Sequence, residues 1–167
     1  MQYPRVMVTG HRPQFIHPDS QDWVRLELER LAVKLRDRNG MQVGISGMAL
    51  GADTWWGFAT VFAWCELWAF IPFPQQADRW AASDVAAWNE LRSRAAHEIV
   101  IAEEYSVQAL HARNDAMLRD SDLVIAVWDP SKTSGGTASC VEKAQAAGKP
   151  IVHVDPVART TVARGVR

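Results

Sequence analysis

From residue 5 to residue 155, short apolar runs alternate with longer stretches in which apolar positions recur every three to four residues. The short runs are "RVMVT" (5–9), "MQVGIS" (41–46), "ELWAFIP" (66–72), "HEIVIA" (97–102), "DLVIAVW" (122–128) and "PIVHVD" (150–155). Each is rich in Val or Ile and too short for a helix of ordinary length, so each predicts a strand buried on both faces. Between the first two, residues 20–39 place Trp23, Leu26, Leu31 and Leu35 mostly on one helical face, with Gly40 as the expected C-cap. Further helices are predicted over about 52–65, 78–96, 106–119 and 136–147, the last stopped by Gly148 with Pro150 beyond it. Strands alternating with helices predict an α/β fold. The expected form is a doubly wound, mostly parallel sheet of about six strands, with helices on both faces, in a single domain over 1–156. The ending "VARTTVARGVR" (157–167), with its three arginines and no acid, breaks the pattern and is expected to be a flexible tail.

Composition narrows this picture. A chain of 167 residues suits one domain able to bury about 70% of the surface of its unfolded state. With 18 basic and 19 acidic residues there is no global field to hold a polyanion, which argues against nucleic acid and requires any phosphate to be bound locally. Cys65 and Cys140 lie in apolar helical patterns without CxxC spacing, which gives neither a metal site nor a disulfide framework and fits a reducing cytoplasm. No signal-peptide order and no uninterrupted apolar run of about 18 residues is present, so a cytoplasmic protein that does not enter the membrane is expected.

The candidate chemistry sits where the strands end. In an open parallel sheet the strand C-termini face one crevice, where glycines admit a ligand and helix N-termini offer free N–H groups to anions. The first strand ends in "TGHR": Thr9 offers a hydroxyl, Gly10 a close backbone approach, His11 a titratable ring, and Arg12 a planar fork for phosphate or carboxylate. After the second strand, "SGMALGADT" brings Ser46, Gly47, Gly51, Asp53 and Thr54 to a helix start. Asp53 there serves equally well as a helix cap or as an acceptor for ribose hydroxyls. After the fifth strand, Ser134, Gly135, Gly136 and Thr137 form a second glycine-rich helix start, and Arg113 with Asn114 lies on the preceding helix. Trp55, Trp80 and Trp128 are candidates to stack on a base, whereas Trp64 and Trp68 are expected in the core.

The blocks "VTGHRP", "ISGMALGADTWW", "PFPQQADRW", "ARNDAMLRDSDLVIAVWD", "SGGTASCVEKA" and "GKPIVHV", spread over residues 6 to 154, together resemble the YpsA-like branch of the SLOG superfamily. The resemblance implies a Rossmann-like fold with a pocket for a nucleotide or an NAD- or ADP-ribose-like ligand. Related branches are the LOG phosphoribohydrolases, which activate cytokinins, and the DNA-processing protein A family. The hydrolase branch carries PGGxGTxxE, whose glutamate works with an upstream arginine on an N-glycosidic bond. Arg113 matches that arginine, but Lys132, Thr133 and Ser134 stand where the motif has Pro-Gly-Gly, and Cys140 stands where it has the glutamate. Glu142, two residues on, is turned by about 200° to another helical face. The expected function is therefore ligand binding by a sensor or regulatory module. A hydrolase of nucleoside monophosphates or ADP-ribose-like molecules, using Asp53 or Asp129, is one alternative, and single-stranded DNA binding is the other. Enzymatic activity and homo-oligomer formation are left open.

Overall fold

Residues 1–165 are described by a computed structural model in which β1 (Arg5–Gly10) leads through a 3-10 turn (Pro13–Phe15) into α1 (Pro18–Asn39). Then come β2 (Val43–Ser46), α2 (Ala52–Phe62), β3 (Glu66–Ile71), α3 (Ala82–Arg94), β4 (His97–Val100) and α4 (Val107–Asp120). The chain continues through β5 (Leu123–Val127), α5 (Gly136–Ala146), β6 (Ile151–Asp155) and β7 (Thr160–Arg164). The sheet order is β4-β3-β2-β1-β5-β6-β7. β1 to β6 run parallel and β7 pairs antiparallel with β6.

Side chains that alternate along the central strands fill two cores, one on each face. Val6 and Val8 of β1, with Leu123, Ile125 and Val127 of β5, join Val24, Leu28, Leu31 and Leu35 of α1 and Trp56 of α2. Met7, Val124 and Ala126 point the other way, onto Met117 of α4 and Cys140, Val141 and Ala144 of α5. A third cluster packs Trp88 and Leu91 of α3 on Leu67, Ala69 and Ile71 of β3. Leu28 is fully buried, and truncating it to alanine would cost about 2–5 kcal/mol.

The apolar stripe of α1 runs through Val24, Leu28, Leu31, Ala32 and Leu35, so Leu26, expected on the inner face, is 63% exposed. Gly40 caps the helix in the left-handed region at φ 64°. Trp64 was expected in the core and is 92% exposed, because α2 ends at Phe62 and the chain turns with Trp64 at φ 59°. Trp68 is half-buried against the second core.

The segment expected to be a flexible tail supplies β7. The Asp155 carboxylate accepts the N–H groups of Val157 (2.8 Å) and Ala158 (3.0 Å), turning the chain back, and the run Thr160–Val162 is β-branched and suits an edge strand. Arg159, at φ 53°, completes the turn and ties it to α1 by donating from Nε to Ser20 Oγ (3.2 Å) and from Nη2 to the Asp19 carbonyl (2.8 Å). Positions 166 and 167 of that expected tail lie outside the described residues. Among the described residues, no helix is long and apolar enough to cross a membrane.

Candidate functional site: a strand-end cavity

β1 ends in glycine because nothing larger fits. A Cβ on Gly10 would stand 2.4 Å from the Ala52 Cβ and 2.8 Å from the Val127 Cβ. The next residue stitches the same junction together: the His11 N–H donates to the Val127 carbonyl (3.1 Å), and its carbonyl accepts the Ala52 N–H (3.3 Å). The end of β1 is thus wedged between the start of α2 and the end of β5. There the strand order reverses, the position at which open α/β sheets open a crevice. The buried His11 ring accepts the Asp129 N–H at Nε2 (3.0 Å). Burial holds its pKa below the ordinary value, so the ring is neutral with its proton on Nδ1.

The loop after β2 builds a buried charge pair. Asp53, in the first turn of α2, accepts the Ala49 N–H at Oδ2 (3.3 Å) and lies 4.0 Å from Arg113 Nη1, both side chains being 9% exposed. Burial pushes the Asp53 carboxyl up, against the pull of Arg113, the Ala49 N–H and Arg12. Burial also lowers the Arg113 pKa, but a guanidinium starts so high that it stays charged. Arg113 further donates from Nη1 to the Gly47 carbonyl and from Nε to Asn114 Oδ1 (2.8 Å). Gly47 makes room for this pair, since a Cβ there would meet Arg113 Nη1 at 2.4 Å and Asp53 Oδ2 at 2.7 Å. Ser46 donates to the Asp53 carbonyl (2.8 Å), and Thr54 donates to the Ala49 carbonyl (2.7 Å). Gly51, at φ 82°, has only 2.7 Å between its would-be Cβ and the His11 carbonyl. These four residues, predicted to touch a ligand, shape the loop from behind.

The loop after β5 is open. Asp129 Oδ1 accepts from the Ser131 N–H (3.0 Å) and hydroxyl (2.7 Å), which holds its pKa below the ordinary carboxylate value. The Trp128 indole N–H donates to the Lys132 carbonyl (2.9 Å). Gly135 then adopts φ 97° and begins α5 with no side-chain cap, so the first N–H groups of the helix remain to be satisfied from outside. A Cβ on Gly135 or Gly136 would meet nothing within 4 Å.

These pieces enclose a cavity of about 710 Å³. It is lined from β1 by Thr9, Gly10, His11 and Arg12, from α2 by Asp53, from α4 by Arg113 and Asn114, and from the α5 start by Ser134, Gly135, Gly136 and Thr137. Ser46, Gly47, Gly51 and Thr54 are absent from the wall, as are the three tryptophans considered for stacking. Trp55 packs on the first core, Trp80 stands edge-on to Trp88, and Trp128 braces the open loop. Residues the sequence reading missed are Val8, Phe15, Ala49, Val107, Leu110, His111 and Ser131, with Lys132 and Thr133 now part of the wall. The lining holds three cationic side chains, Arg12, Arg113 and Lys132, against one carboxylate, Asp53, so the pocket is locally basic within a chain of net charge −1. Cys140 lies behind this wall in the second core, its pKa raised by burial. No carboxylate occupies the place of the hydrolase glutamate, and Glu142 is exposed.

The fold has relatives of known structure. DNA processing protein A from Streptococcus pneumoniae superposes with a TM-score of 0.67 at 19% identity, over 92% of this chain and 50% of that one. The Helicobacter pylori protein of the same name, described for its single-stranded DNA binding mode, gives 0.65 at 23%, over 92% of this chain and 66% of that one. This chain therefore spans about half the length of the first and just under two thirds of the second. The molybdenum cofactor carrier protein of Chlamydomonas reinhardtii gives 0.58 at 18%, over 94% and 81% of the two chains. These likenesses establish a Rossmann-like fold, and they lend no support to the expectation against nucleic acid. No curated protein matches the chain in sequence. The model of the family described as "YspA SLOG family" (YpsA) matches residues 6–156, most of the chain, and the chain belongs to that family.

Proposed function

We propose that the strand-end cavity binds a nucleotide or nucleotide-derived ligand, with its phosphate on the uncapped start of α5 and its negative charge shared by Arg12 and Arg113. The observation that carries this reading is the convergence of both arginines and the Gly135–Gly136 helix start on one cavity at the sheet's switch point. The cavity volume of about 710 Å³ falls within the range of small-molecule sites. The test is thermal denaturation and calorimetry with AMP, ADP, ADP-ribose, inorganic phosphate and a thymidine pentanucleotide, beside mass spectrometry of molecules retained by the native protein. A ligand at 100 times its Kd stabilises the fold by about 2.7 kcal/mol. A panel that leaves the midpoint unmoved, together with no retained nucleotide, would refute the reading. Pentanucleotide affinity that falls steeply with salt, without affinity for mononucleotides, would point to single-stranded DNA instead.

A hydrolase is the second reading, and one observation favours it. Among the described residues Asp53 is the only carboxylate in the wall, and its burial favours the protonated form that a general acid needs. Asp129, by contrast, is spent on the turn at Ser131. Release of free base from nucleoside monophosphates, abolished by Asp53→Asn, would establish that activity. Binding without turnover leaves the module a receptor.

A further inference from the structure

Phe15 is an aromatic side chain held out on a fixed backbone. The 3-10 turn that carries it is closed by the Phe15 N–H on the Arg12 carbonyl (3.0 Å) and the Ile16 N–H on the Pro13 carbonyl (3.1 Å). Gln21 of α1 clamps the same turn by donating to the Pro13 and Ile16 carbonyls, both at 3.2 Å. Ile16 is buried, yet the neighbouring Phe15 side chain is 52% exposed. Its ring lies 6.2 Å from the His11 ring and 5.6 Å from the Lys132 ammonium. Phe15 also borders a second cleft of about 400 Å³, whose walls include Asp19 and Ser20 at the start of α1 and Pro156, Val157 and Arg159 at the β6–β7 turn. One ring is therefore shared by both cavities.

Arg159 gives the second cleft its chemistry. Nε and Nη2, the side-on edge of the guanidinium, are spent on Ser20 Oγ and the Asp19 carbonyl. Those bonds fix the plane of the group and leave the end-on edge, Nη1 with the second Nη2 hydrogen, for a partner with two adjacent acceptors. We propose that the cleft beyond Phe15 is a second compartment of the same site, in which a base lies against Phe15 and presents paired acceptors to Arg159. Among purines, guanine has such an edge, O6 with N7, whereas adenine places the N6 amino donor beside N7 and meets the arginine with a donor. The inference rests on the nucleotide reading above and deepens it to a guanine-bearing nucleotide, with phosphate on α5 and base beyond Phe15.

The experiment compares GDP and ADP by calorimetry on the parent, Arg159→Gln and Phe15→Ala, with Phe15→Tyr as the conservative control. A good bidentate contact discriminates by about 5- to 150-fold, so the parent should bind GDP at least about fivefold more tightly than ADP. Arg159→Gln should remove that preference by weakening GDP alone, Phe15→Ala should weaken both nucleotides, and Phe15→Tyr should bind like the parent. Equal affinity of the parent for GDP and ADP overturns the second compartment while the nucleotide reading stands. So does an Arg159→Gln variant that keeps the preference or loses both ligands alike. Binding of neither nucleotide by the parent removes both readings together.

Discussion

Arg12 and Arg113 line the same cavity, but their removal should affect the fold very differently, and the difference can be worked from the geometry. Arg12 is exposed, so Arg12→Ala should leave stability within about 0.5 kcal/mol of the parent and weaken only ligand binding. Arg113 is buried 4.0 Å from an equally buried Asp53. At that distance and an effective dielectric constant of about 20, the pair is worth about 4 kcal/mol, in line with the roughly 3–5 kcal/mol typical of breaking one side of a buried pair. Asp53 has an escape: it can take up a proton. For a carboxyl with an ordinary pKa of about 3.9, staying protonated at pH 7 costs about 4 kcal/mol relative to the ionised unfolded chain, and about 1.4 kcal/mol less for each pH unit downward. That escape caps the electrostatic penalty of Arg113→Ala near 4 kcal/mol at pH 7 and near 1.5 kcal/mol at pH 5. The sign follows from the direction of the shift. Burial already raises the Asp53 pKa in the fold, and losing Arg113 raises it further. The variant then holds a proton that the unfolded chain has released, and its stability falls as pH rises above about 4. Urea denaturation of parent and variant from pH 5 to pH 8 measures this directly. The gap should widen with pH, and Asp53→Asn in the Arg113→Ala background should flatten it. A gap that is constant across that range, or one untouched by Asp53→Asn, would refute the buried-pair account.

Gly136→Val should fold normally, because a Cβ there meets nothing within 4 Å, yet it should block the α5 start and reduce nucleotide affinity at least tenfold by calorimetry. Gly47→Ala drives a Cβ into Arg113 and Asp53, so its urea midpoint should drop by an amount comparable to Arg113→Ala, with the two losses failing to add in the double variant. Cys140→Glu should release no free base from nucleoside monophosphates, because position 140 faces the core behind Thr9 rather than the cavity, and a new buried carboxyl there should also lower the melting temperature. His11, neutral and with its pKa depressed by burial, contributes stability that is complete above pH 6.5 and lost as pH falls through its lower folded value. His11→Gln should flatten that acid limb in a denaturation series.

The inner strands were readable because β1 and β5 are dense in Val and Ile and buried on both faces, where no polar alternation blurs the pattern. β7 was not, because Thr160–Arg164 sits on the sheet edge with most of its residues exposed, and what makes it a strand is the Asp155 turn and pairing with β6. Leu26 misled for a related reason: several phases of α1 carry apolar residues, and only packing on the sheet selects Val24 and Leu28. The site was visible as a set of strand ends, since Gly, Asp, Arg and Thr cluster there in the sequence. Its division of labour was not visible. Gly10, Gly47 and Gly51 look in sequence like Gly135 and Gly136, but what a Cβ would strike at each depends on which residues the fold brings against it. Phe15 was missed because a lone aromatic after "HRPQ" has no periodic partner; its weak signal is a proline-started turn directly after a strand end.

The glycines also decide where this protein can be changed. The backbone junctions at Gly10, Gly47 and Gly51 are filled to contact, so variation there is paid for in folding before it can alter recognition. The loop over 131–137 hangs free of such contacts at Gly135 and Gly136, braced from below by Asp129 and Trp128. A mutagenesis library that randomises 131–134 and 136–137, keeping Gly135 for its positive φ, should yield mostly folded proteins with diverse ligand preferences. The same diversity placed in residues 46–53 should yield mostly insoluble ones.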